Sequence, residues 1–208
     1  DDRRMQALLI SFSFGAFIEG AAGFGTPVAI TAAMLAGLGF NTLYAAGLCL
    51  LANTAPVAFG AIGIPIVVGA SVSGVDLMAF SQVVGRTLPF LSLFVPLSLV
   101  VLMAGWKKGI EVWPACLVSG GSFAIAQHLS SNYIGPLLPD ILSSISSIVC
   151  TVSFLRFWHP KESWHFPEEA KSNGRATLNY SGGQVFRAWA PFLLLSVFVA
   201  AWGIKPVQ

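Results

Sequence analysis

Residues 7–105 carry almost no charge, and this constrains the fold more than any other feature of the sequence. Between Met5 and Trp106 the only charged side chains are Glu19, Asp76 and Arg86. The whole chain of 208 residues is 55% hydrophobic and 10% charged, whereas soluble domains contain about 25% charged residues. A membrane-spanning helix needs about 20 residues, so several fit. We therefore predict an all-α integral membrane protein, a polytopic helix bundle in contact with the lipid bilayer.

The rest of the composition argues against two other kinds of site. The net charge is +2, and no basic cluster is present to follow a nucleic-acid backbone, so we predict no nucleic-acid partner. The cysteines, Cys49, Cys116 and Cys150, lie far apart within apolar runs. This spacing is typical of neither a metal site nor a disulfide framework. We predict no metal and no cofactor.

Glycine and proline interrupt two long apolar tracts, residues 7–40 and 41–72. The first tract is too long for one straight crossing and fits either two half-helices or a tilted, interrupted helix. Residues 23–28 (Gly-Phe-Gly-Thr-Pro-Val) are similar to residues 61–66 (Ala-Ile-Gly-Ile-Pro-Ile), which suggests an internal repeat. Paired interruptions of this kind indicate a transporter binding site. We predict Gly/Pro-broken helices and re-entrant hairpins.

The remaining segments predict further membrane elements and one loop, all within a single membrane domain, residues 1–208. In chain order they are an interfacial helix (73–86), a kinked span with two prolines (87–105), a short apolar half (114–126), a third polar break (127–136), a further span (137–157), a polar surface loop (158–185) and a final span (186–204).

Residues 13–30 surround the first break, and we interpret them as half of a binding site for a small anion. The predicted substrate-binding residues here are Gly20, Gly23, Gly25 and Thr26. Glycine and proline free backbone polar groups from a helix, and lipid tolerates such groups only where protein buries them or a wet cavity receives them. The spacing G-x-x-G-x-G differs from the dinucleotide fingerprint. The alternative is a glycine-rich element for kinking or packing helices.

Two carboxylates beside the breaks, Glu19 and Asp140, are candidates for proton coupling. An ionisable side chain beside unwound backbone at membrane depth indicates a functional site. Burial favours the neutral form of a carboxyl group, which could then exchange a proton. Glu19 could instead lie at a wet loop tip or in a structural pair. Asp140 could instead be the N-cap of the following helix.

Arg86 is the only cation between Arg4 and Lys107, and a guanidinium binds a carboxylate through two parallel hydrogen bonds. It could equally be an interfacial anchor at the start of a span. Uncharged polar groups at the other breaks complete the predicted substrate site: Asn53, Thr54, Gln127 and Asn132. These groups could bind a substrate, or they could satisfy the freed backbone.

Five motifs occur in order along the chain, at residues 14–30, 52–65, 84–90, 120–127 and 129–136 with its continuation 138–144. The first reads Phe-Gly-Ala-Phe-Ile-Glu-Gly-Ala-Ala-Gly-Phe-Gly-Thr-Pro-Val-Ala-Ile. Together they closely resemble the L-lactate permease family of bacterial secondary transporters. Members of that family are much longer than 208 residues, so we expect this chain to be a fragment of a longer permease.

The resemblance implies proton-coupled uptake of lactate, and of glycolate in some members, across the bacterial inner (plasma) membrane. We therefore predict a symporter of a small 2-hydroxy monocarboxylate, and not an enzyme. The alternatives are a channel, a non-transporting membrane subunit or an intramembrane enzyme. For the enzyme, His128 near Ser130 and Ser131 is the only candidate pair, and it lacks an oriented third group.

Basic segments constrain the topology, because they favour the cytoplasmic side. Three candidates are Arg3 with Arg4, Lys107 with Lys108, and residues 156–187. If all three lie on one side, an even number of crossings separates each pair. Three apolar tracts separate the first two segments, so one tract has to enter and return on the same side. We predict that either residues 7–40 or residues 41–72 form this re-entrant hairpin.

Overall fold

The computed structural model describes residues 2–166 and four isolated positions, 183, 187, 190 and 194. The chain divides into two compact units, Asp1–Trp164 and His165–Gln208, and the first is described below. Its regular structure in residues 2–166 is entirely helical, so the prediction of an all-α fold is confirmed. The final span (186–204), and the polar loop (158–185) beyond residue 166, lie outside these residues apart from the four isolated positions, and they stay predictions.

Eight α-helices make up this unit: α1 (Arg3–Ala7), α2 (Gly15–Ala22), α3 (Thr26–Gly37), α4 (Thr42–Ala52), α5 (Gly60–Ser73), α6 (Leu77–Ile110), α7 (Trp113–Leu129) and α8 (Pro139–Phe157). A π-helical turn, Leu8–Phe14, joins α1 to α2, and a second one, Ser130–Ile134, extends α7. A short 3₁₀ turn, Val57–Phe59, precedes α5.

Three of these helices are long and apolar enough to cross a membrane: Arg3–Ala22, Leu77–Ile110 and Pro139–Phe157. A fourth candidate is the pair Thr42–Ala52 and Val57–Ser73, whose axes are bent by 72° at the break between them. Length decides this assignment, since about 20 helical residues are needed to cross the hydrocarbon core. The broken helices predicted from glycine and proline are therefore present.

The first apolar tract folds back on itself. A helix of full spanning length, Arg3–Ala22, is followed by the 12-residue α3. The Arg3 guanidinium lies 5.6 Å from the ring centroid of Phe40, so the two ends of the tract meet. The tract is thus a hairpin with one long and one short arm, which differs from both the two half-helices and the single interrupted helix predicted for it.

The two breaks share a backbone conformation as well as a sequence pattern. Residues 23–25 all have positive φ angles, of 61°, 54° and 82°. Residues 61–63 repeat this, with φ angles of 48°, 56° and 72°. Each run precedes a proline by two residues. L-residues other than glycine rarely adopt this region, so three in succession at both sites form a local structural repeat.

The predictions for residues 73–105 were wrong in one respect, because an interfacial helix and a separate kinked span do not form. Residues 77–104 are one continuous helix with Pro89 and Pro96 inside it, and the non-helical Gly105 makes a kink before the last residues of α6. The polar residues at its start pack against the chain beyond α7. Ser81 Oγ donates to the Ser131 carbonyl at 2.9 Å. Proline leaves backbone polar groups of its helix without a hydrogen bond. Lipid-spanning helices tolerate it because neighbouring helices satisfy these groups.

The third polar break, predicted over residues 127–136, is shorter in the structure. Residues 127–134 remain helical, and the break is confined to the segment from Gly135 to the start of α8. The polar side chains support the helix instead of ending it: Ser131 Oγ donates to the Gln127 carbonyl at 2.6 Å and Asn132 Nδ2 to the His128 carbonyl at 2.8 Å. The segment 114–126 is therefore part of a longer helix rather than a short half.

One end of the unit gathers five charged residues that lie outside the apolar tracts. Arg4 is fully buried there, and its guanidinium donates to Asp2 Oδ2 at 2.6 Å and to the Lys108 carbonyl at 2.6 Å. Lys108 Nζ lies 2.8 Å from Glu162 Oε2 and 3.0 Å from Glu111 Oε1. We call these five residues the charged end. It brings together the first two predicted basic segments and the chain that follows α8.

Asp2 and its neighbour Arg3 are hydrogen-bonded to Trp164, the last residue of the unit. Trp164 N donates to Asp2 Oδ2 at 3.0 Å, and Arg3 N donates to the Trp164 carbonyl at 3.0 Å. Burial would raise the pKa of Asp2, but the hydrogen bonds and charge of Arg4 and the backbone bond from Trp164 outweigh it and hold the pKa below its ordinary value of 3.8.

Candidate functional site

Two carboxylates from distant parts of the chain meet in the core. Glu19 lies near the end of α2 and is 2% exposed, and Asp140 lies in the first turn of α8 and is 0% exposed. Glycine permits this approach, because a Cβ built at Gly20 would lie 2.9 Å from the Asp140 Cβ. A Cβ built at Gly60 would overlap Glu19 Oε1. We call Glu19 and Asp140 the carboxyl pair.

The interpretation of Asp140 as an N-cap was wrong. Leu138 is the residue at the cap position of α8, and no side chain caps the helix. Asp140 lies inside the first turn, and neither of its carboxylate oxygens has a hydrogen-bond partner. It is held among the close contacts of α2 rather than turned back onto its own backbone, because Gly20 leaves room for it.

The polar surroundings of the carboxyl pair are rich in acceptors and poor in donors. Four buried oxygens there lack a hydrogen-bond partner: Glu19 Oε2, Asn53 Oδ1 and both oxygens of Asp140. The side-chain amides of Asn53 and Gln127 lie beside Glu19 and Asp140, respectively, without satisfying these oxygens. No salt bridge of residues 2–166 includes either carboxylate. Bound protons, water or the hydroxyl of a ligand would supply the missing donors.

Gln127 is the residue that ties this region to two other tracts. It is fully buried, and its Nε2 donates to the Ala55 carbonyl at 3.3 Å. Ser92 Oγ donates to Gln127 Oε1 at 2.9 Å. Ser92 and the Ala55 carbonyl were missed as site groups. The available signal for Ser92 was a polar residue between the two prolines of an otherwise apolar span.

The three breaks lie against one another beside the carboxyl pair. A Cβ built at Gly23 would lie 2.6 Å from the Ala61 Cβ, so the first break touches the second. A Cβ built at Gly63 would overlap the Pro136 carbonyl oxygen, so the second break touches the third. The first contact involves the Ala61 methyl group and the second involves backbone, and neither leaves room for a side chain at Gly23 or Gly63.

Helix α6 indicates how deep this region lies. Its part before the Gly105 interruption, residues 77–104, is about 42 Å long at about 1.5 Å per residue. Ser92 lies about 22 Å from its start, which is near the middle of that length. Because Ser92 contacts Gln127, the residues around the carboxyl pair lie near the middle of a helix long enough to cross a bilayer of about 30 Å hydrocarbon thickness.

Arg86 and Asn132 form a second polar cluster, held together by contacts of their own. Arg86 is exposed, and its Nε donates to Asn132 Oδ1 at 3.0 Å. Gln82 Nε2 donates to the Asn132 carbonyl at 3.2 Å. His128 Nδ1 lies 3.1 Å from the Gly85 carbonyl, so this histidine has a structural partner. The guanidinium keeps its two terminal nitrogens available beyond the bond through Nε.

The remaining predicted site residues lie at the rims of the breaks. Gly25 and Thr26 are exposed at the start of α3, where Thr26 N donates to the Gly23 carbonyl at 3.1 Å. Thr54 is also exposed, and its hydroxyl donates to the Leu51 carbonyl at 2.7 Å. The structure thus brings Glu19, Gly20, Asn53, Gln127 and Asp140 together, pairs Arg86 with Asn132, and leaves Gly25, Thr26 and Thr54 apart from both groups.

No group of three or more histidine, cysteine, aspartate or glutamate side chains that could hold a metal ion occurs among the described residues. Two carboxylates, two amides and the glycine-lined breaks are therefore the chemistry that this region presents.

Comparison with known proteins identifies the family. A sequence profile described as L-lactate permease matches residues 1–208. The chain belongs to the L-lactate permease family. The resemblance seen in its motifs is thereby confirmed.

Individual relatives agree with this family. An L-lactate permease of Bacillus subtilis (strain 168) is 57% identical over 216 residues, which cover 100% of this chain and 38% of that protein. A glycolate permease of Escherichia coli (strain K12) is 55% identical over 219 residues, covering 100% of this chain and 39% of that protein. An L-lactate permease of Halalkalibacterium halodurans is 42% identical over 206 residues, covering 98% of the chain and 38% of the relative.

The chain therefore spans about two fifths of the length of these curated permeases. No solved structure matches it.

Proposed function

We propose that the full protein to which this chain belongs carries a small 2-hydroxy monocarboxylate, lactate or glycolate, together with a proton across the bacterial inner membrane. Transport, rather than catalysis, is supported by the permease family and by relatives named for lactate and glycolate. The observation that carries the proton part is the carboxyl pair, two buried carboxylates with three unpartnered oxygens and no cation bonded to them.

Charge repulsion gives the pair a reason to hold a proton. Two ionised carboxylates that interact in a buried site destabilise each other, so one shared proton is favoured. The same repulsion opposes the entry of an anionic substrate while the pair is fully ionised. Proton binding removes negative charge first, and the substrate anion binds second. On the other side of the membrane the order is reversed and both are released. The substrate and the proton therefore cross the membrane together in the same direction.

Recognition of the substrate uses the surroundings of the pair. The substrate hydroxyl donates to one of the acceptor oxygens that lack a partner, such as Asn53 Oδ1. The substrate carboxylate requires donors, and the side-chain amide of Gln127 and the terminal nitrogens of Arg86 are the candidate groups. The charged end, with Arg4 and Lys108, faces the cytoplasm by the positive-inside rule.

Replacement of each carboxylate by its amide tests the coupling. In proteoliposomes with the full-length protein, Glu19→Gln and Asp140→Asn should abolish uptake driven by a pH gradient. They should retain exchange of internal lactate for labelled external lactate, because exchange needs no net movement of protons. Asp76→Asn is the matched control: Asp76 is exposed and its side chain caps α6 by accepting from Ala79 N at 2.9 Å, and asparagine caps equally well.

Full proton-driven uptake by a normally inserted Glu19→Gln protein would remove Glu19 as the proton carrier. A wild-type protein that accumulates lactate against its gradient in the presence of a protonophore would refute proton symport, and one that only equilibrates lactate would be a channel.

A further inference from the structure

Helix α8 buries a face made of polar side chains. Asp140 and four hydroxyl residues below it are each 0% exposed: Ser143, Ser144, Ser147 and Thr151. Their spacing of three or four residues places them on one side of a helix. We call the four hydroxyl residues the hydroxyl stripe. Thr151, the last residue of the stripe, lies 11 residues after Asp140, which is about 16 Å along the helix axis.

Two other helical segments add hydroxyls at the middle of the stripe. Ser147 Oγ lies 2.9 Å from Ser13 Oγ and 3.0 Å from Ser119 Oγ. Ser13 Oγ and Ser119 Oγ are 3.3 Å apart. Ser147 Oγ also lies 3.0 Å from the Ser119 carbonyl, to which it can donate. Because a hydroxyl both donates and accepts hydrogen bonds, each member of this triangle can accept from one neighbour and donate to another.

Both ends of the stripe carry buried polar atoms without a partner. At one end these are the two carboxylate oxygens of Asp140, and at the other end the Thr151 hydroxyl. Close packing of small residues accounts for serines in a lipid-spanning helix. It does not account for Thr151, because a buried hydroxyl without a hydrogen bond destabilises the fold relative to an apolar group of the same shape. The unpartnered hydroxyl therefore points to bound water.

We propose that the hydroxyl stripe, with Ser13 and Ser119, binds a file of water molecules that carries protons between the carboxyl pair and the charged end. This inference rests on the proposed proton symport and adds the route to it. Ser144, Ser147 and Thr151 follow one another at intervals of three and four residues, which are about 4.5 and 6 Å along the helix axis. One water between two hydroxyls spans about these distances with hydrogen bonds of about 2.8 Å on each side.

Each transfer along the route balances. A hydroxyl or water oxygen accepts one proton on a lone pair and gives another of its own protons to the next oxygen. No electrons move and no group is consumed. Thr151 lies six residues before the end of α8 at Phe157, and the chain then reaches Glu162 of the charged end. The route therefore runs from the core of the unit to its charged surface.

Replacement of Thr151 by valine is the sharpest test, because it removes the hydroxyl and keeps the shape. Since that hydroxyl has no partner, the fold should be unaffected or slightly stabilised. Ser146→Ala is the matched control. Ser146 lies next to Ser147 on α8 but is only half-buried, and its hydroxyl approaches the Ser122 carbonyl of α7 at 3.4 Å.

Two rates are compared in proteoliposomes that contain the full-length protein. The first is L-lactate uptake driven by a pH gradient, and the second is exchange of L-lactate at equal pH. A positioned proton-transfer group contributes about 10²-fold or more; because water can replace part of the route, we expect Thr151→Val to lower gradient-driven uptake about tenfold. Exchange should stay within about twofold of wild type, and Ser146→Ala should match wild type in both.

The outcomes separate the route from the symport on which it rests. If wild type responds to the pH gradient and Thr151→Val responds equally, the route is wrong and the symport stands. If Thr151→Val lowers uptake and exchange by the same factor, the hydroxyl serves substrate binding or packing, and the route is also wrong. If wild-type exchange of L-lactate occurs but no pH gradient drives uptake, the symport fails, and the route fails with it.

Discussion

Gly20 is the contact that sets the spacing of the carboxyl pair, and its replacement by alanine gives a measurable cost. The added methyl group would lie 2.9 Å from the Asp140 Cβ and 3.1 Å from the Ile141 backbone nitrogen. Neither atom can rotate away, since one is backbone and the other is fixed to it. Helices α2 and α8 would have to separate. Overpacking of this kind costs about 1–3 kcal/mol.

Gly47→Ala provides the matched control. Gly47 lies inside α4, and a Cβ built there meets nothing within 4 Å. Alanine in place of glycine in a helix stabilises by about 0.5–1 kcal/mol at either position. That gain is common to both variants, so the difference between them isolates the overpacking cost of about 1–3 kcal/mol.

The assay is thermal unfolding of the purified full-length protein in detergent, followed by proton-driven lactate uptake. Gly20→Ala should unfold several degrees below Gly47→Ala, at about 2–4 °C per kcal/mol, and its uptake should fall because the carboxyl pair is displaced. Equal melting temperatures for the two variants would refute the close approach of α2 and α8.

Three further predictions follow from the second cluster, the charged end and the first hairpin. Arg86→Lys should raise the apparent KM for lactate several-fold with kcat little changed, because lysine cannot form the two parallel bonds; an unchanged KM would make Arg86 an anchor. The hydrogen bond from Lys108 lowers the pKa of Glu111 below 4.5, so its stabilisation is present at neutral pH and is lost as pH falls through the lowered pKa. The melting-temperature difference between wild type and Glu111→Gln should shrink below about pH 4.5, and a constant difference would contradict this. In a cysteine-free background, Thr42→Cys should react with an impermeant maleimide from the side of the charged end and Ser73→Cys from the opposite side; reaction of both from one side would make the second tract the hairpin.

The sequence was sufficient to predict the class of fold and the position of two breaks. Lack of charge over residues 7–105 requires a lipid environment, and the local pattern shared by residues 23–28 and 61–66 corresponds to the same run of positive φ angles. Both properties are local, because they depend on composition and on what glycine and proline do to a backbone.

Properties that depend on neighbouring helices could not be read from the sequence. Residues 127–134 look like a break but stay helical, because their side chains bond to carbonyls one turn earlier. Pro89 and Pro96 predict a kinked span that begins at residue 87, but they lie inside α6, which already begins at Leu77. Glu19 and Asp140 were each candidates for proton coupling, but no local pattern pairs residues this far apart. Their meeting depends on Gly20, whose absent side chain has no signature in a chain with 21 glycines.

The hydrogen bond between Asp2 and Trp164 can form only late, after the ribosome has added residue 164. The two residues are 162 positions apart, and ribosomes add about 5–20 residues per second. Asp2 and Arg4 therefore wait on the order of ten seconds for their last partners, while the apolar tracts between them enter the membrane. Arg4 thus receives one of its hydrogen-bond acceptors, the Glu162 carbonyl, only after residue 162 has been added. A nascent chain arrested before Glu162 emerges should leave the Arg4 guanidinium accessible to water.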